Sequence, residues 1–289
     1  MTVWLDGALM PGETARIAPN DRGFLLGDGL FETLLAEGGE VRFLAAHLAR
    51  LRHGAEVLGL NVPYDNRSLE AAMRELLASN GLSETPRASL RLTLTRGPGP
   101  RGIVPPAETA PTCLITAAKA GPQPASLSAM IATSTRRNQA SPTSRLKTLG
   151  YLDAVLARQE AARAGVDEAI LLNTVDRVAC GSVANLFLLK GTRLITPPLS
   201  DGVLDGITRA CVLEIGKELG LDTAEESLTV DDLASAEALI LTNALQGLVP
   251  ISRLDGRAFA RSATVTALQE AYGRFAGSSG ASQSRTQAR

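Results

Sequence analysis

The run Ser144-Arg-Leu-Lys147-Thr-Leu-Gly-Tyr151 carries one of only four lysines among 29 basic residues; the others are Lys119, Lys190 and Lys217, and the remaining 25 are arginine. Arginine stays protonated in proteins, whereas lysine can lose its proton and add to a carbonyl as an imine. In a chain that solvates its surface with arginine, each lysine is therefore a candidate for chemistry. Lys119 precedes a Gly/Pro joint, Lys190 precedes Gly191 in an expected hairpin turn, and Lys217 lies in an expected helix, so all three read as solvated charges. Lys147 stands just before a helical pattern, among small and apolar residues. On that fact alone a plain loop lysine is the simpler account, and other features must decide.

Three further stretches suit a phosphorylated ligand. Leu204-Asp-Gly206-Ile207-Thr208-Arg209 opens a helix, and a helix N-terminus offers unpaired N–H groups and the positive end of the dipole. An ordinary Asp/Gly helix start reads the same way. His47-Leu-Ala-Arg50-Leu51 puts Arg50 on a helix, either as a phosphate ligand through its planar fork or as a surface charge. Thr242-Asn243-Ala244-Leu245 closes an apolar strand, where polar groups can meet a ligand or simply make a turn.

The elements that must position these residues follow from periodicity. Strands are expected at 3–5, 30–35, 41–43, 88–95 and 113–117, and helices at 45–58 and 68–77. In the strand 88–95, Leu90, Leu92 and Leu94 share one face, and Arg91 and Thr93 the other. A Gly/Pro loop follows at 96–102. Gly121-Pro-Gln-Pro124 breaks regular structure. The expected organisation is a small domain over 1–120, a linker at 121–125, a larger domain over 126–277, and a polar, disordered tail at 278–289. The larger domain is expected to hold helices at 151–164, 208–219 and 263–275, with strands at 168–172, 185–189, 194–196, 239–243 and 249–253. This is α+β with a barrel-like second domain. No GxGxxG follows a strand, so a dinucleotide fold has no support.

Composition excludes several functions. A net charge of −1 gives no basic field for nucleic acid. No apolar run approaches the ~18 residues of a membrane span, and the first residues lack the basic-then-apolar order of a signal peptide. Three scattered cysteines fit a reducing cytoplasm better than a disulfide framework. With only two histidines, His47 and His53, a His-based metal site or Ser-His-Asp machinery is disfavoured. An enzyme of this composition would take its chemistry from a cofactor.

Taken together the motifs resemble the pyridoxal-phosphate enzymes of fold type IV, the class IV aminotransferase family. Asp21-Arg-Gly, Gly27-Asp-Gly-Leu-Phe-Glu-Thr33, His47-x-x-Arg50-Leu51, Lys147-Thr-Leu-x-Tyr-Leu152, Asp167-Glu-Ala-Ile-Leu-Leu172, Ala184-Asn-Leu-Phe187 and Gly206-Ile-Thr-Arg209 stand in the family's order across nearly the whole chain. The resemblance implies a small N-terminal α/β domain, a larger C-terminal pseudo-barrel, pyridoxal 5'-phosphate as cofactor, a small-molecule substrate and a homodimer. It makes Lys147 the Schiff-base lysine that also moves protons at the substrate Cα. It makes Arg50, the Ile207 and Thr208 amides, the Thr208 hydroxyl, Asn243 and Ala244 the holders of the phosphate.

One departure stands out. The family pattern is Val-x-Glu-Gly-x-x-x-Asn-Leu-Phe, with the Glu on the pyridine nitrogen, and here Cys180 occupies the Glu position in Val178-Ala-Cys-Gly-Ser-Val-Ala-Asn-Leu-Phe187. Either Cys180 is a weak neutral partner of the ring or another residue substitutes, with Glu32 and Glu168 as candidates. The Lys147-to-Tyr151 spacing resembles the D-amino acid transaminase and lyase branch, and Asn243-Ala-Leu resembles 4-amino-4-deoxychorismate lyase. Arg101 matches the arginine of a carboxylate trap whose Tyr and His are replaced here by Phe31 and Ile103. The implied substrate contacts are thus Arg101, Phe31 and Tyr151. The expected activity is 4-amino-4-deoxychorismate lyase. An aminotransferase for branched-chain or D-amino acids is the alternative, and an inactive pyridoxal-phosphate-binding homologue the third reading.

Overall fold

The computed structural model describes residues 1–283 and divides into two compact units. The first holds Met1–Gly121 and Lys147–Gly150; the second holds Pro122–Leu146 and the chain from Tyr151 onward to Ser278. Of the tail expected at 278–289, the last helix continues to Gln283, and 284–289 lie outside the described residues.

The first unit runs β1 (Thr2–Leu5), β2 (Ala8–Pro11), α1 (Arg22–Leu26), β3 (Gly29–Glu37), β4 (Glu40–Val41), α2 (Leu44–Leu58), α3 (Asn66–Ser79), β5 (Ala88–Thr95) and β6 (Cys113–Lys119). Its strands form one antiparallel sheet in the order β2-β1-β6-β5-β3-β4. The period-2 alternation of side chains decides which face is buried. Leu30 and Leu34 of β3, Leu90, Leu92 and Leu94 of β5, and Ile115 of β6 are at most 2% exposed. They share a core with Leu48 and Leu51 of α2 and Leu69, Met73 and Leu76 of α3. Each such side chain contributes roughly 1.5–3 kcal/mol by leaving water. Phe31, Thr33, Arg91 and Thr93 alternate onto the opposite face, where Phe31 pairs across from Thr93 and Thr33 from Arg91.

Lys147–Gly150 belongs to this unit, although the sequence-based boundary puts it in the second domain. The reason is backbone pairing. The Phe31 amide donates to the Lys147 carbonyl at 2.9 Å, the Leu149 amide donates to the Gly29 carbonyl at 3.1 Å, and Leu30 and Thr148 form an antiparallel bridge. The segment thus adds a short rung beside the start of β3. A Cβ on Gly29 would lie 2.4 Å from the Leu94 carbonyl oxygen and 2.8 Å from Leu149 Cδ1, so only glycine admits this approach.

The second unit runs β7 (Leu127–Ile131), α4 (Leu152–Arg163), β8 (Glu168–Leu172), β9 (Val178–Gly181), β10 (Asn185–Lys190), β11 (Arg193–Thr196), α5 (Ile207–Glu218), β12 (Asp222–Glu225), α6 (Val230–Ser235), β13 (Ala238–Asn243), β14 (Gly247–Leu254), β15 (Arg257–Ala258) and α7 (Ala263–Gln283). The order β10-β13-β14-β7-β8-β9 closes on itself because Asn185 of β10 also pairs with Cys180 of β9. This closed six-stranded barrel is the barrel-like second domain expected from the sequence. Strand β7 lies parallel to both neighbours, and the remaining pairs in the ring are antiparallel. Closure leaves these strands no unpaired edge, and Ile170, Val178, Leu186, Leu188, Leu239, Leu241 and Ile251 join in one apolar cluster. A second cluster sets Ala157 and Ala161 of α4 against Ala169 and Leu171 of β8, with Ala179 and Cys180 of β9.

Candidate active site

In the first unit, the chemistry gathers around Lys147. Its Nζ lies 4.3 Å from the centroid of the Phe31 ring, and the Arg91 guanidinium carbon lies 3.7 Å from the same centroid. Burial pulls the Lys147 ammonium down to about 8, the charges of Arg50 and Arg91 push the same way, and Glu32 opposes them. At pH 7 that raises the free-amine fraction from about one in 3,000 to about one in ten, a direct consequence of the lowered pKa. Lys119, Lys190 and Lys217 are all exposed.

Glu32 is the hub beside Lys147. It lies on the helix-facing side of β3, 1% exposed, among leucines. His47 and Arg50, three apart on α2, share one helix face and both reach it. Arg50 donates from Nε to Oε1 at 2.8 Å and from Nη2 to Oε2 at 2.7 Å, a bidentate fork. His47 Nδ1 lies 2.7 Å from Oε2. Burial alone would raise the Glu32 pKa, but the bonds from Arg50 and His47 outweigh it and hold the carboxyl at about 2. Burial lowers the His47 pKa against the pull of Glu32, so a neutral imidazole donates through Nδ1 to an ionised carboxylate.

In the second unit the start of α5 is prepared for an anion. Gly206 is the N-cap and makes no side-chain bond, so the first amides of α5 take no cap from that residue. Asn185 Nδ2 donates to the Leu204 carbonyl at 2.9 Å and fixes the approach; a Cβ on Gly206 would lie 2.0 Å from Asn185 Oδ1. The hydroxyls of Thr208 and Thr242 are buried with no hydrogen-bond partner among the described residues. Such orphans are uncommon in native proteins and point to an absent acceptor. Asn243 is committed locally: its Oδ1 accepts from the Leu245 and Gln246 amides at 3.1 and 2.8 Å, leaving Ala244 in the turn it makes.

Cys180 lies on the barrel, 9% exposed. Burial raises its thiol pKa, the Arg137 charge opposes this, and Glu168 adds to it, so the group is a neutral thiol. Neither carboxylate considered as a substitute is uncommitted. Glu168 Oε1 accepts from the Ser182 hydroxyl at 2.5 Å and the Ala169 amide at 2.8 Å, while Oε2 meets Arg158 at 3.0 Å. Glu32 is taken by Arg50 and His47. Tyr151 is partly buried just before α4, and Arg101 is exposed in the loop after β5. Arg91 could be read from the sequence only as a residue of the polar face of β5. Its place over Phe31 depends on the β3–β5 register, which no local pattern encodes.

The sequence profile described as amino-transferase class IV matches residues 29–254. The chain belongs to the class IV aminotransferases. It is 36% identical over 264 residues to a Methanocaldococcus jannaschii protein provisionally named a branched-chain-amino-acid aminotransferase, covering 89% of each chain. It is 28% identical over 255 residues to the aminodeoxychorismate lyase of Bacillus subtilis, covering 88% of this chain and 86% of that one. The solved branched-chain aminotransferase of Thermoproteus uzoniensis with norvaline superposes with a TM-score of 0.89 at 31% identity, over 96% of this chain and 94% of that one. Class IV aminotransferases use pyridoxal phosphate. Each unit by itself offers chemistry that such a group can use: the first a lysine whose lowered pKa suits an aldehyde, the second a glycine-capped helix start with an orphaned threonine hydroxyl that suits a phosphate. Gly206→Ala is expected to displace the start of α5 and weaken pyridoxal phosphate retention about tenfold, about 1.4 kcal/mol. Spectral titration of the apo variant measures it.

Proposed function

We propose that this class IV enzyme is a 4-amino-4-deoxychorismate lyase, releasing 4-aminobenzoate and pyruvate. The observation that carries the reading is Cys180, a buried neutral thiol at the position where the family pattern has a carboxylate for the ring nitrogen. Bound pyridoxal phosphate supplies an electron sink for the bond broken at the substrate Cα. An ionised carboxylate beside the ring nitrogen would keep it protonated and deepen that sink, and a neutral thiol does not. Pyruvate loss from aminodeoxychorismate creates an aromatic ring, so that reaction has its own driving force and needs less from the sink. The Bacillus subtilis lyase relative and the Asn243-Ala-Leu run support the same reading.

In this reading Lys147 would hold the cofactor aldehyde until the substrate amine displaces it, and the freed amine would then take the proton from the substrate Cα and return one to the departing enol. The Ile207 and Thr208 amides and the Thr208 hydroxyl bind phosphate, with the Asn243–Ala244 turn and the positive charge of Arg50, oriented by Glu32, adding to its hold. Arg101 binds a substrate carboxylate, and Phe31 and Tyr151 border the substrate. Fold type IV aminotransferases are commonly dimeric, and the same assembly is expected here.

A second reading, an aminotransferase for branched-chain amino acids, is favoured by the 36% identical relative and the Thermoproteus uzoniensis structure. Incubating the holoenzyme with L- and D-amino acids separates the two. Conversion to the pyridoxamine form without added 2-oxo acid identifies a transaminase. No conversion, with fluorescent 4-aminobenzoate formed from aminodeoxychorismate, identifies the lyase. A protein that binds pyridoxal phosphate but shows neither activity is an inactive homologue. Cys180→Glu should raise the transamination half-reaction about tenfold while the lyase rate gains less or falls. Equal rates for both reactions in wild type and variant, at matched cofactor occupancy, would show that Cys180 does not meet the ring.

A further inference from the structure

Asp21, Arg22 and Asp28 take no part in the site described above, yet Asp21 and Arg22 are buried charges of the first unit. Asp21 is 0% exposed. Its Oδ1 caps α1 through the Gly23 amide at 2.8 Å, and its Oδ2 accepts from the hydroxyls of Thr95 and Thr112, each at 2.8 Å. Those threonines flank the loop between β5 and β6, and the Thr95 amide donates to the Thr112 carbonyl at 2.9 Å. One carboxylate therefore closes the neck of the loop. Inside the neck the strands are so close that a Cβ on Gly97, at φ +83°, would lie 1.8 Å from the Ala110 carbonyl oxygen.

Beyond the neck the loop rests on Arg22, which is 3% exposed. Its amide donates to the Gly97 carbonyl at 2.9 Å. Its Nη1 donates to the Gly102 carbonyl at 2.8 Å and its Nη2 to the Ile103 carbonyl at 2.7 Å, while Nε meets Asp28 at 2.9 Å. Asp28 also accepts from Arg96 Nε at 2.8 Å and Nη2 at 3.1 Å. Arg96 in turn donates to the Leu58 and Gly59 carbonyls, both at 2.8 Å, where the C-terminus of α2 favours a cation. The two carbonyls held by the Arg22 fork are those of the residues directly after Arg101, whereas Arg101 itself is exposed and Ile103 is 85% exposed.

Burying a guanidinium is unfavourable unless its donors are all matched. Asp21 and the Thr95–Thr112 backbone bond already hold the neck, and the Arg22 fork adds a second anchor at the residues next to Arg101. We infer that Arg22 is a positioning residue, which holds the Gly102–Ile103 backbone so that Arg101 presents its charge to a substrate carboxylate from one fixed loop conformation. The inference rests on the reading of Arg101 given above. Without the fork the tip must be ordered at each binding event, and that ordering lowers affinity rather than chemical rate.

Arg22→Met tests it. Methionine keeps an apolar stem beside Gly99, and Asp28 keeps its pair with Arg96, so no carboxylate is orphaned. Expected are a KM for the anionic substrate raised about tenfold, kcat within about twofold, an unchanged cofactor spectrum, and faster tryptic cleavage at Arg101–Gly102. The charge-free Arg101→Leu should raise KM on its own, and adding Arg22→Met to it should raise KM no further. A further tenfold rise in the double variant, or an unchanged KM in Arg22→Met, overturns the inference. If Arg101→Leu alone leaves KM unchanged, the substrate role of Arg101 fails and the positioning role with it, and the trypsin rate then reports whether Arg22 still holds the loop. Should Arg22→Met lose its cofactor or its melting transition, Arg22→Lys is measured instead. It keeps the ion pair but not the two-pronged fork, and should raise KM about threefold; unchanged KM and cleavage rate overturn the inference equally.

Discussion

Lys147→Ala is expected to leave turnover at least about 10³-fold below wild type: in the proposed reading one side chain supplies both the covalent hold on the cofactor and the proton transfer, and general acid–base assistance alone is worth roughly 10²–10⁴. The variant should still retain some pyridoxal phosphate through the α5 start, without the visible imine absorbance, and borohydride should fix no label. In the wild type, peptide mapping after reduction should place the label on Lys147, and a label on Lys119, Lys190 or Lys217 would sink the assignment. The lowered pKa gives a second readout. Imine formation needs the free amine, so capture of pyridoxal phosphate by the apoenzyme should quicken with rising pH and reach half its plateau near pH 8. An unburied lysine would do so near its ordinary 10.5. A plateau reached only above pH 10 would mean that burial and the neighbouring arginines do not act on this amine.

Glu32→Ala is expected to be the most destabilising single change near the site. It leaves Arg50 and His47 facing a buried space without their shared acceptor, and breaking a buried ion pair from one side costs roughly 3–5 kcal/mol. For a chain of this size that lowers Tm by about 10 °C. The pH dependence has a definite direction. The Glu32 carboxyl is held at about 2 in the fold against 4.5 for an ordinary glutamate. A depressed carboxyl stabilises the fold fully above its unfolded pKa, and this contribution, on the order of 3 kcal/mol, fades as pH falls from about 4.5 through about 2. Wild-type Tm should therefore drop across that window more steeply than that of Glu32→Ala. Parallel curves, followed by circular dichroism, would show that the carboxylate is not ion-paired in solution. If Arg50 adds to the phosphate hold as proposed, the same variant should lose pyridoxal phosphate more readily, because Glu32 fixes the Arg50 guanidinium.

Much of the fold is legible along the chain where apolar periodicity is strong. Leu90, Leu92 and Leu94 announce β5, and the helical spacing in α2 and α3 matches the buried leucines found there. The elements not foreseen are short or evenly buried. Strand β9, Val178–Gly181, is buried at every position and so has no alternation to read. Strand β7, Leu127–Ile131, mixes a serine and an alanine into a partly buried run that signals only through its two parallel neighbours. The site shows the same division. Lys147, Arg50 and the α5 start are candidates that residue type and order alone put forward. The coupling of Arg50 to Glu32 is not among them, although a signal exists: a glutamate in register with Leu30 and Leu34 on a buried face requires cations nearby, and His47 and Arg50 stand one helical turn apart.

The return of Lys147–Gly150 to the first unit bears on how this sequence can be recombined with its relatives. A single crossover at 121, the natural seam by contact, would inherit the lysine from one parent and Phe31, Glu32, Arg50 and Arg91 from the other. The rung beside β3 depends on backbone pairing and on the absence of a side chain at Gly29, so a mismatch at Leu149 would disturb the pairing that holds the Lys147 segment. Chimeras that move residues 147–150 together with 1–121 as one inherited block should keep an assembled lysine environment, and those that split the block should not.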